Sequence, residues 1–379
     1  MTRPVRILHL HSSFSLGGKE ARAVRLMNAW EKRASHCILS GVPGQLDARE
    51  AIAPGVATEF PERAPALAGR PSVARYWRLA CYMQGFDLVL SYNWGAMDAV
   101  MAHRLFAPVM KLPALIHHED GFNSDEAEGL KSSRNQFRHI GLGSARALVV
   151  PSTKLERIAL CDWRQPRDKV RLIRNGIDVA RYAEPPATDA IPDLIRSPGK
   201  LLVGTLAGLR PVKNLRKLVR AVAAHNDGLQ LVIVGEGPER QAIVAEALAH
   251  GLSHIHLPGF MAEPFRFIGL FDLFALSSDS EQFPISLVEA MAAGLAAVAT
   301  DVGDVAEMVA AENRPFIVPV SDETAFTAAL ERLSSDSILR SAIGAANRNK
   351  AVHAYAETQM IVSYAALYGE ALGRPDALL

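Results

Sequence analysis

The sequence has few cysteines, few aromatic residues and almost no net charge. It contains 3 Cys in 379 residues, 7% aromatic residues, and 41 Lys and Arg against 40 Asp and Glu, which gives a net charge of +1. Three cysteines without paired spacing indicate neither a disulfide framework nor a zinc cluster, and they fit a reducing cytoplasm. The balanced charge provides no overall field that would attract nucleic acid. No apolar run approaches the roughly 20 residues of a membrane span, so we expect a cytoplasmic protein that can rest on the inner face of the plasma membrane.

The length and the apolar pattern predict two α/β domains. A chain of 379 residues exceeds the size at which a single core usually stops growing. Apolar runs alternate with helical patterns, which is typical of parallel sheets covered by helices. A Pro-rich stretch at 184–199 is predicted to be the linker, and 347–372 is predicted to be one long terminal helix with a buried apolar stripe. The predicted strands form two series, at 5–10, 37–40, 88–91, 114–117 and 148–151, and at 201–205, 231–234, 254–257, 273–276, 297–300 and 316–318.

The clearest functional signal is a pair of acidic residues eight positions apart, Glu281 and Glu289. Pro284 predicts that a helix starts near Ile285, which leaves Glu281 in the preceding loop and Glu289 inside the helix. One carboxylate could then face a reacting sugar, and the other could face the ribose of a bound sugar nucleotide. Two alternatives stay open: a glycosidase pair, which needs carboxylates about 5 to 9.5 Å apart, and two solvated acids on a surface helix.

Glycine pairs and cations follow several of the predicted strands. Gly17 and Gly18 precede a helical pattern, where backbone N–H groups can bind a phosphate. They do not form the full Gly-x-Gly-x-x-Gly fingerprint, which disfavours a nicotinamide enzyme. Arg210 and Lys213 follow the strand at 201–205 and suit a diphosphate whose charge rises as it leaves.

Further candidates lie at the predicted carboxyl ends of strands. Gly235 and Gly237 form a tight turn at the sheet edge where open α/β folds bind ligands. His117 follows a strand of the first domain, at a position that could border such a ligand. Histidines also occur in pairs, but none has the helical spacing of a metal site, so we expect strand-borne or capping histidines and no metal. The pairs are His9 and His11, His117 and His118, and His254 and His256.

Three motifs in combination resemble a known family. They are Asn175-Gly176-Ile177-Asp178, Val234-Gly235-Glu236-Gly237-Pro238, and the run from Ser278 to Gly294. This combination is similar to that of the retaining glycosyltransferases of family four, among the group 1 glycosyltransferases, and the resemblance covers nearly the whole chain. It implies the GT-B architecture, in which two Rossmann-like parallel-sheet domains face a central cleft and the terminal helix crosses back to the first domain. We place these domains at 1–180 and 181–354, and the terminal helix at 355–379.

The resemblance also implies roles for single residues. Glu281 would lie against the donor sugar, Glu289 would bind the ribose, and Lys213 would bind the diphosphate. The family commonly has Arg at the position of Gly208, and Arg210 is predicted to make the phosphate contact instead. The catalytic set would therefore be Glu281, His117, Lys213 and Arg210, and the donor-binding set Gly17, Gly18, Gly235, Gly237, Phe283, Pro284, Ile285 and Glu289.

The sequence thus predicts a metal-independent retaining glycosyltransferase that moves a sugar from a nucleoside-diphosphate sugar to an acceptor hydroxyl, without a cofactor. The expected acceptor is a lipid-linked or growing glycan in surface polysaccharide biosynthesis. The first domain would contact this acceptor through residues such as Asn93 and Glu119, in the segments 91–95 and 117–123. A basic aromatic segment at 70–82 could contact an anionic membrane. The alternatives are an epimerase-like enzyme on a similar fold and a catalytically weak binding homologue.

Overall fold

The protein has two compact units, described here from a computed structural model that covers residues 3–15, 17–122, 126 and 129–379. The first unit contains residues 1–175 and 358–379, and the second contains residues 176–357. The chain passes from the first unit to the second at Asn175, and it returns at Thr358. Asn123, at the end of one predicted acceptor segment, lies outside the described residues.

Within the described residues, the first unit is built on a seven-stranded parallel sheet. Its strand order is β3-β2-β1-β4-β5-β6-β7, so the order reverses between β1 and β4. Both faces are covered by helices, which explains the near-continuous apolar runs of the central strands. The strands are β1 (Val5–His11), β2 (Ala34–Ser40), β3 (Ala57–Glu59), β4 (Leu88–Tyr92), β5 (Ala114–His118), β6 (Ala147–Val150) and β7 (Val170–Leu172).

Two helices of this unit, those at Val73–Met83 and Thr153–Cys161, begin at a polar capping residue. Ser72 and Ser152 each accept a hydrogen bond from the backbone N–H three residues later, which stabilises the first turn of the helices that follow them. The helices are α1 (Gly18–Trp30), α2 (Val73–Met83), α3 (Met97–Phe106), α4 (Ser132–Gly141) and α5 (Thr153–Cys161).

The second unit repeats the same design with a six-stranded parallel sheet. The strand order β10-β9-β8-β11-β12-β13 reverses between β8 and β11. Its strands are β8 (Leu201–Leu206), β9 (Leu229–Val234), β10 (Ile255–Gly259), β11 (Leu273–Leu276), β12 (Ala297–Thr300) and β13 (Ile317–Val318). Its helices are α6 (Leu215–Ala223), α7 (Arg240–Ala249), α8 (Ile285–Ala292), α9 (Val305–Met308), α10 (Glu323–Ser335) and α11 (Ser337–Ala354). The last helix, α12 (Glu357–Ala371), begins at the boundary and belongs to the first unit from Thr358 onward. Both sheets confirm the predicted pair of Rossmann-like folds.

The Pro-rich stretch at 184–199 is part of the second unit, so its prediction as a linker is wrong. Ile191 in this stretch is buried. The Gln230 side chain accepts a hydrogen bond from the Ser197 backbone N–H at 2.9 Å and donates one to the Ile195 carbonyl at 2.7 Å. The stretch lacks periodicity because side chains of the sheet, rather than regular secondary structure, satisfy its backbone groups.

The predicted single helix at 347–372 is also wrong, because α11 and α12 are separate helices. Between them, Ala356 forms an isolated parallel bridge with Ile177. The Ile177 N–H donates to the Tyr355 carbonyl, and the Glu357 N–H donates to the Ile177 carbonyl, both at 2.9 Å. Tyr355 packs against Phe283 of the second unit, with ring centroids 5.6 Å apart. The rest of the predicted apolar stripe is buried in the core of the first unit: Met360, Tyr364, Leu367 and Tyr368.

A group of buried imidazole and phenol rings fills part of the first unit's core. We call it the imidazole cluster, and its members are His9, His11, His36, His118, Tyr92 and Tyr368. One nitrogen of His9 lies 3.2 Å from the Tyr92 hydroxyl, and the other lies 3.0 Å from His36 Nδ1. His118 Nε2 lies 2.7 Å from the Tyr368 hydroxyl. All four histidines are on strands; the sequence predicts strand-borne or capping positions for His9, His11 and His118, and His36 is not among the predicted pairs.

Burial sets the charge of these rings. Desolvation lowers the pKa of His9, His11 and His118 well below the usual value of 6.5, and it lowers the pKa of His36 to about 4. His11 stacks on Tyr92 with ring centroids 4.0 Å apart, and neither of its nitrogens has a hydrogen-bond partner among the described residues. The imidazole cluster is therefore neutral at physiological pH.

Candidate functional site

The predicted residues of the second unit gather where the strand order of its sheet reverses. The loop after β8 carries Arg210 and Lys213, and the loop after β11 carries Glu281. Because β8 and β11 are neighbours in a parallel sheet, their carboxyl ends lie at the same edge. In open α/β sheets this position is where ligands bind.

An ion pair joins these two loops. The Lys213 ammonium lies 2.5 Å from Glu281 Oε1, and the Ser278 hydroxyl donates to the same oxygen at 2.7 Å. The side chains are 24% exposed for Lys213 and 12% for Glu281, so both charges are accessible to a ligand. Two of the residues predicted to be catalytic are therefore in direct contact.

Neighbouring contacts fix the same two loops. The Asp279 backbone N–H donates to the Val212 carbonyl at 2.8 Å, and Asn214 donates to the Asp279 carboxylate at 2.8 Å. The buried Lys217 lies 3.6 Å from that carboxylate and donates to the Val320 carbonyl at 2.7 Å. These contacts join the loop that carries Lys213 to the loop that carries Glu281.

Arg210 is exposed beside Gly208. A Cβ atom added at Gly208 would lie 3.5 Å from Arg210 Nε, so the guanidinium lies over the position where the family commonly has its own Arg. Within the described part of the chain, the Arg210 side chain has no hydrogen-bond or ion-pair partner. It is free to bind an anion.

The turn at Gly235 and Gly237 is explained by backbone packing. Both residues have positive φ angles, of 146° and 155°. A Cβ atom would come within 1.9 Å of the Ala207 carbonyl oxygen at Gly235, and within 2.5 Å of the Leu209 carbonyl oxygen at Gly237. Only glycine fits here, and donor contact by this turn stays a prediction.

The helix α8 begins at Ile285 with Pro284 at its N-cap position, as predicted. Phe283 and Pro284 are buried, and the first N–H groups of the helix have no capping side chain. Glu289 lies inside α8 and is 8% exposed. Glu281 is thus in the loop and Glu289 on the helix, while their roles toward sugar and ribose stay predictions.

In the first unit, His117 belongs to a fully buried chain of polar groups. Its Nδ1 lies 2.8 Å from the Ser91 hydroxyl, and its Nε2 lies 3.8 Å from a Glu119 carboxylate oxygen. The same oxygen lies 3.4 Å from Arg138 Nε, and Arg138 also binds both oxygens of Glu126, at 3.1 and 3.0 Å. His117 and Glu119 have no exposed surface in this structure, so sugar or acceptor contact by either stays a prediction.

Asn93 lies at the carboxyl edge of the same sheet. Its side-chain oxygen accepts a hydrogen bond from the Asp120 backbone N–H at 2.8 Å. The Asp120 carboxylate forms a two-pronged ion pair with the buried Arg22, which also donates to the Asn175 side chain at 3.0 Å. Burial lowers the pKa of the Arg22 guanidinium, but Asp120 more than offsets this, so the net shift is upward. The sequence analysis missed Arg22 and Asp120, although Asp120 directly follows the predicted Glu119.

Gly17 and Gly18 begin α1, as predicted, and two charged residues follow them. Gly17 is the N-cap residue in extended conformation. Lys19 pairs with the buried Glu20 and lies 3.4 Å from the Ser13 carbonyl oxygen. The sequence analysis gave neither residue a role.

Searches for metal groups and membrane spans cover only the described residues. No three His, Cys, Asp or Glu side chains come together there in a group that could hold a metal ion. In the same residues, no helix combines the length and the apolar character needed to cross a bilayer.

Comparison with known proteins identifies both halves of the chain. Residues 7–181 match the family model described as Glycosyltransferase Family 4, and residues 189–350 match the one described as Glycosyl transferases group 1. One curated relative is the N-acetylgalactosamine-N,N'-diacetylbacillosaminyl-diphospho-undecaprenol 4-alpha-N-acetylgalactosaminyltransferase of Campylobacter jejuni. The two proteins are 28% identical over 286 residues, and this aligned part covers 72% of this chain and 73% of that protein. This chain is 31% identical to EpsF of Bacillus subtilis, over 44% of each chain.

Solved structures share the fold over nearly the whole length. Alr3699/HepE of Anabaena in complex with UDP superimposes with a TM-score of 0.80 at 18% identity, over 96% of this chain and all of that one. A glycosyltransferase from Rickettsia africae gives a TM-score of 0.78 at 14% identity, over 98% of this chain and 99% of the other. These similarities agree with the two parallel sheets and with the two family matches. Residues 189–350 belong to the group 1 glycosyl transferases and residues 7–181 to Glycosyltransferase Family 4, so the two family models together account for most of the chain.

Proposed function

We propose that the protein is a retaining glycosyltransferase that moves a sugar from a nucleoside-diphosphate sugar to an acceptor hydroxyl. The observation that carries this proposal is the contact of Lys213 with Glu281 at the strand-order reversal of the second sheet. A cation and a carboxylate at one sheet edge can bind the two ends of the reacting bond, because the diphosphate is anionic and the sugar offers hydroxyl donors. The UDP in the Anabaena neighbour is compatible with a donor of this kind.

Within the second unit, each predicted residue has a role that its position permits. Lys213 and the exposed Arg210 stabilise the diphosphate as it leaves, and Glu281 accepts a hydrogen bond from the donor sugar. Glu289 binds the ribose hydroxyls. The backbone at Phe283, Pro284 and Ile285 presents N–H groups at the start of α8, and the turn at Gly235 and Gly237 borders the nucleotide.

The first unit contributes the acceptor and part of the phosphate contact. The turn at Gly17 and Gly18 approaches the diphosphate, while His117 lies near the transfer point, with Asn93 and Glu119 on the acceptor side. The bond between the anomeric carbon and the diphosphate oxygen breaks, and the acceptor oxygen bonds to that carbon with retained configuration. The acceptor proton passes to the departing phosphate. Lys213, Arg210 and backbone N–H groups supply the positive charge, so the reaction is metal-independent.

We further propose an acceptor attached to a lipid, in polysaccharide or glycoconjugate biosynthesis. The name of the Campylobacter relative includes a diphospho-undecaprenol group.

A surface of the first unit suits contact with a membrane. Val73 and Trp77 of α2 are exposed, and so are Leu105 and Val109 on and after α3. The helices α2 and α3 pack against each other. Exposed arginines on the same two helices and beside them, Arg70, Arg78 and Arg104, suit an anionic bilayer surface. Weaker sedimentation of Trp77→Ala than of wild type with anionic vesicles would support this contact, and equal sedimentation would contradict it.

A panel of labelled sugar nucleotides tests the main proposal against its alternatives. The protein is incubated with each donor and an extract of lipid-linked glycans, and the products are analysed by mass spectrometry. Transfer predicts free nucleoside diphosphate together with a glycan one sugar heavier. An isomerised donor would indicate an epimerase, and binding without turnover would indicate a binding homologue. Inverted configuration in the product would refute the retaining mechanism.

A further inference from the structure

The amino-terminal end of α1 already holds a carboxylate of the protein itself. Glu20 is the third residue of the helix and is 3% exposed. One of its carboxylate oxygens accepts a hydrogen bond from Lys19, and the other lies 2.9 Å from where a Cβ atom on Gly17 would be. An acidic group in the first helical turn is favoured by the helix dipole. The Glu20 carboxylate thus lies beside the Gly17 Cα atom, and the place where a phosphate would bind is next to a negative charge.

Lys19 cancels that charge at the surface of the turn. Its side chain is 13% exposed, so the ammonium reaches the edge of the buried region. Besides Glu20, the ammonium lies 3.4 Å from the Ser13 carbonyl oxygen, which can accept a hydrogen bond. An ammonium has three N–H donors, and within the described residues these two acceptors are its hydrogen-bond partners. One donor is left for a ligand.

We propose that Lys19 is the cation through which the first unit binds the donor diphosphate. Two of its donors hold the Glu20 carboxylate and the Ser13 carbonyl, and the third binds a phosphate oxygen at the turn of Gly17 and Gly18. The inference rests on the proposed function, since it names a further residue of the same site. The second unit offers a parallel, because Lys213 is also held by a nearby carboxylate before any ligand is bound.

The charged groups around Lys19 give this role a pH signature. Desolvation lowers the pKa of Lys19 to about 8; Arg22 on α1 adds to the lowering, and Asp120 after β5 opposes it. Glu20 pairs with the ammonium, and the buried His11 on β1 also interacts with it. Above pH 8 the ammonium loses its proton, and the Glu20 charge is no longer cancelled. Affinity for a diphosphate should fall there about tenfold per pH unit, because the binding form becomes the minor one.

Calorimetric titration of UDP and of GDP into the full chain tests the role of Lys19. At pH 7, we expect Lys19→Gln to weaken binding about tenfold to a hundredfold, as for the loss of a hydrogen bond from a charged group. Lys19→Arg should stay within about threefold of wild type. The double variant Lys19→Gln with Glu20→Gln should recover part of the loss, because no uncancelled carboxylate remains. Lys32→Gln, at an exposed position beyond the other end of α1, is the matched control.

The pH dependence separates ligand binding from a purely structural role. Between pH 7 and 9, the wild-type dissociation constant should rise about tenfold, while that of Lys19→Arg should stay constant, since its guanidinium keeps its charge. Wild-type affinity in Lys19→Gln at pH 7, or the same alkaline loss in Lys19→Arg, would overturn the inference. Thermal unfolding identifies variants that fail to fold, and Lys19→Arg keeps the charge in any case. If wild type binds neither nucleotide and the donor panel yields no transfer, the proposed function has failed instead.

Discussion

Mild acid should destabilise the first unit selectively, because its imidazole cluster is buried in the neutral form. In the unfolded chain a histidine has a pKa near 6.5, whereas in the folded protein burial lowers the pKa of His9, His11, His36 and His118. The unfolded state therefore binds more protons as the pH falls below 6.5. The stabilisation is complete above that pH, and it is lost as the pH decreases toward the folded pKa values.

The size of the effect follows from the number of these rings. Between pH 7 and 5.5, a histidine that is protonated only in the unfolded state lowers the free energy of unfolding by about 1.2 kcal/mol. Four such rings give about 5 kcal/mol, which is comparable to the whole stability of many domains. Carboxylates with a lowered pKa, such as Glu126 and Glu323, change the free energy of unfolding only near and below pH 4.5. The interval from 5.5 to 7 thus isolates the histidines.

Tryptophan fluorescence measures the unfolding of the first unit. All four tryptophans, Trp30, Trp77, Trp94 and Trp163, are in the first unit, so their emission during urea titration follows its unfolding. Titrations at pH 7, 6.5, 6 and 5.5 give the free energy of unfolding at each pH. A constant free energy over this range would refute the reasoning.

Two variants separate titration from packing. His11→Phe removes a ring whose nitrogens have no hydrogen-bond partner among the described residues, so it should reduce the acid loss by about a quarter and keep or raise the stability at pH 7. Phe14→Leu changes the ring that packs on His11, at a centroid distance of 4.9 Å, without removing a titratable group. Its effect should be the same at every pH. Equal acid losses in wild type and His11→Phe would show that His11 is not held neutral.

Three further predictions concern the donor site. Glu281→Gln should keep or raise the affinity for UDP, because it frees Lys213. Glu289→Ala should weaken the binding free energy of UDP by roughly 1.5 to 3 kcal/mol. Equal losses of affinity in calorimetry would contradict this division of roles. Arg210→Ala should lower kcat by a factor on the order of 10², and adding Gly208→Arg should restore activity; full activity of the single variant would mean that Arg210 is only a solvated loop residue. Chelation with EDTA should leave turnover intact, and a loss that Mg²⁺ or Mn²⁺ reverses would refute the metal-independent mechanism.

The sequence predicts the parts of the fold that local patterns encode. Apolar runs identify the central strands, and Pro284 locates the start of α8. The edge strands β3 and β7 were missed because neither contains an apolar run: β3 is Ala-Thr-Glu and β7 is Val-Arg-Leu. The break between α11 and α12 was missed for a different reason. Its residues form hydrogen bonds with Ile177, which is far away in the chain.

The candidate site shows the same division between local and distant information. Sequence motifs single out Lys213 and Glu281 separately, but the two residues are 68 positions apart in the chain, and only the strand order brings them into contact. The ion pair of Arg22 with Asp120 spans 98 positions, and no motif contains both residues. An arginine in an amphipathic helix is usually solvated, so its burial could not be inferred from the helix alone.

Ile177, at the start of the second unit, pairs with Ala356, near its end. This pairing affects how such proteins can be altered. The second unit is a continuous stretch whose two ends are hydrogen-bonded to each other, so it is inserted into the first unit as a single module. A segment with adjacent ends can be exchanged or circularly permuted without stretching the chain that receives it. Exchange of residues 176–357 with the corresponding stretch of another family member is therefore geometrically simple, and it would leave the chain of the first unit unchanged.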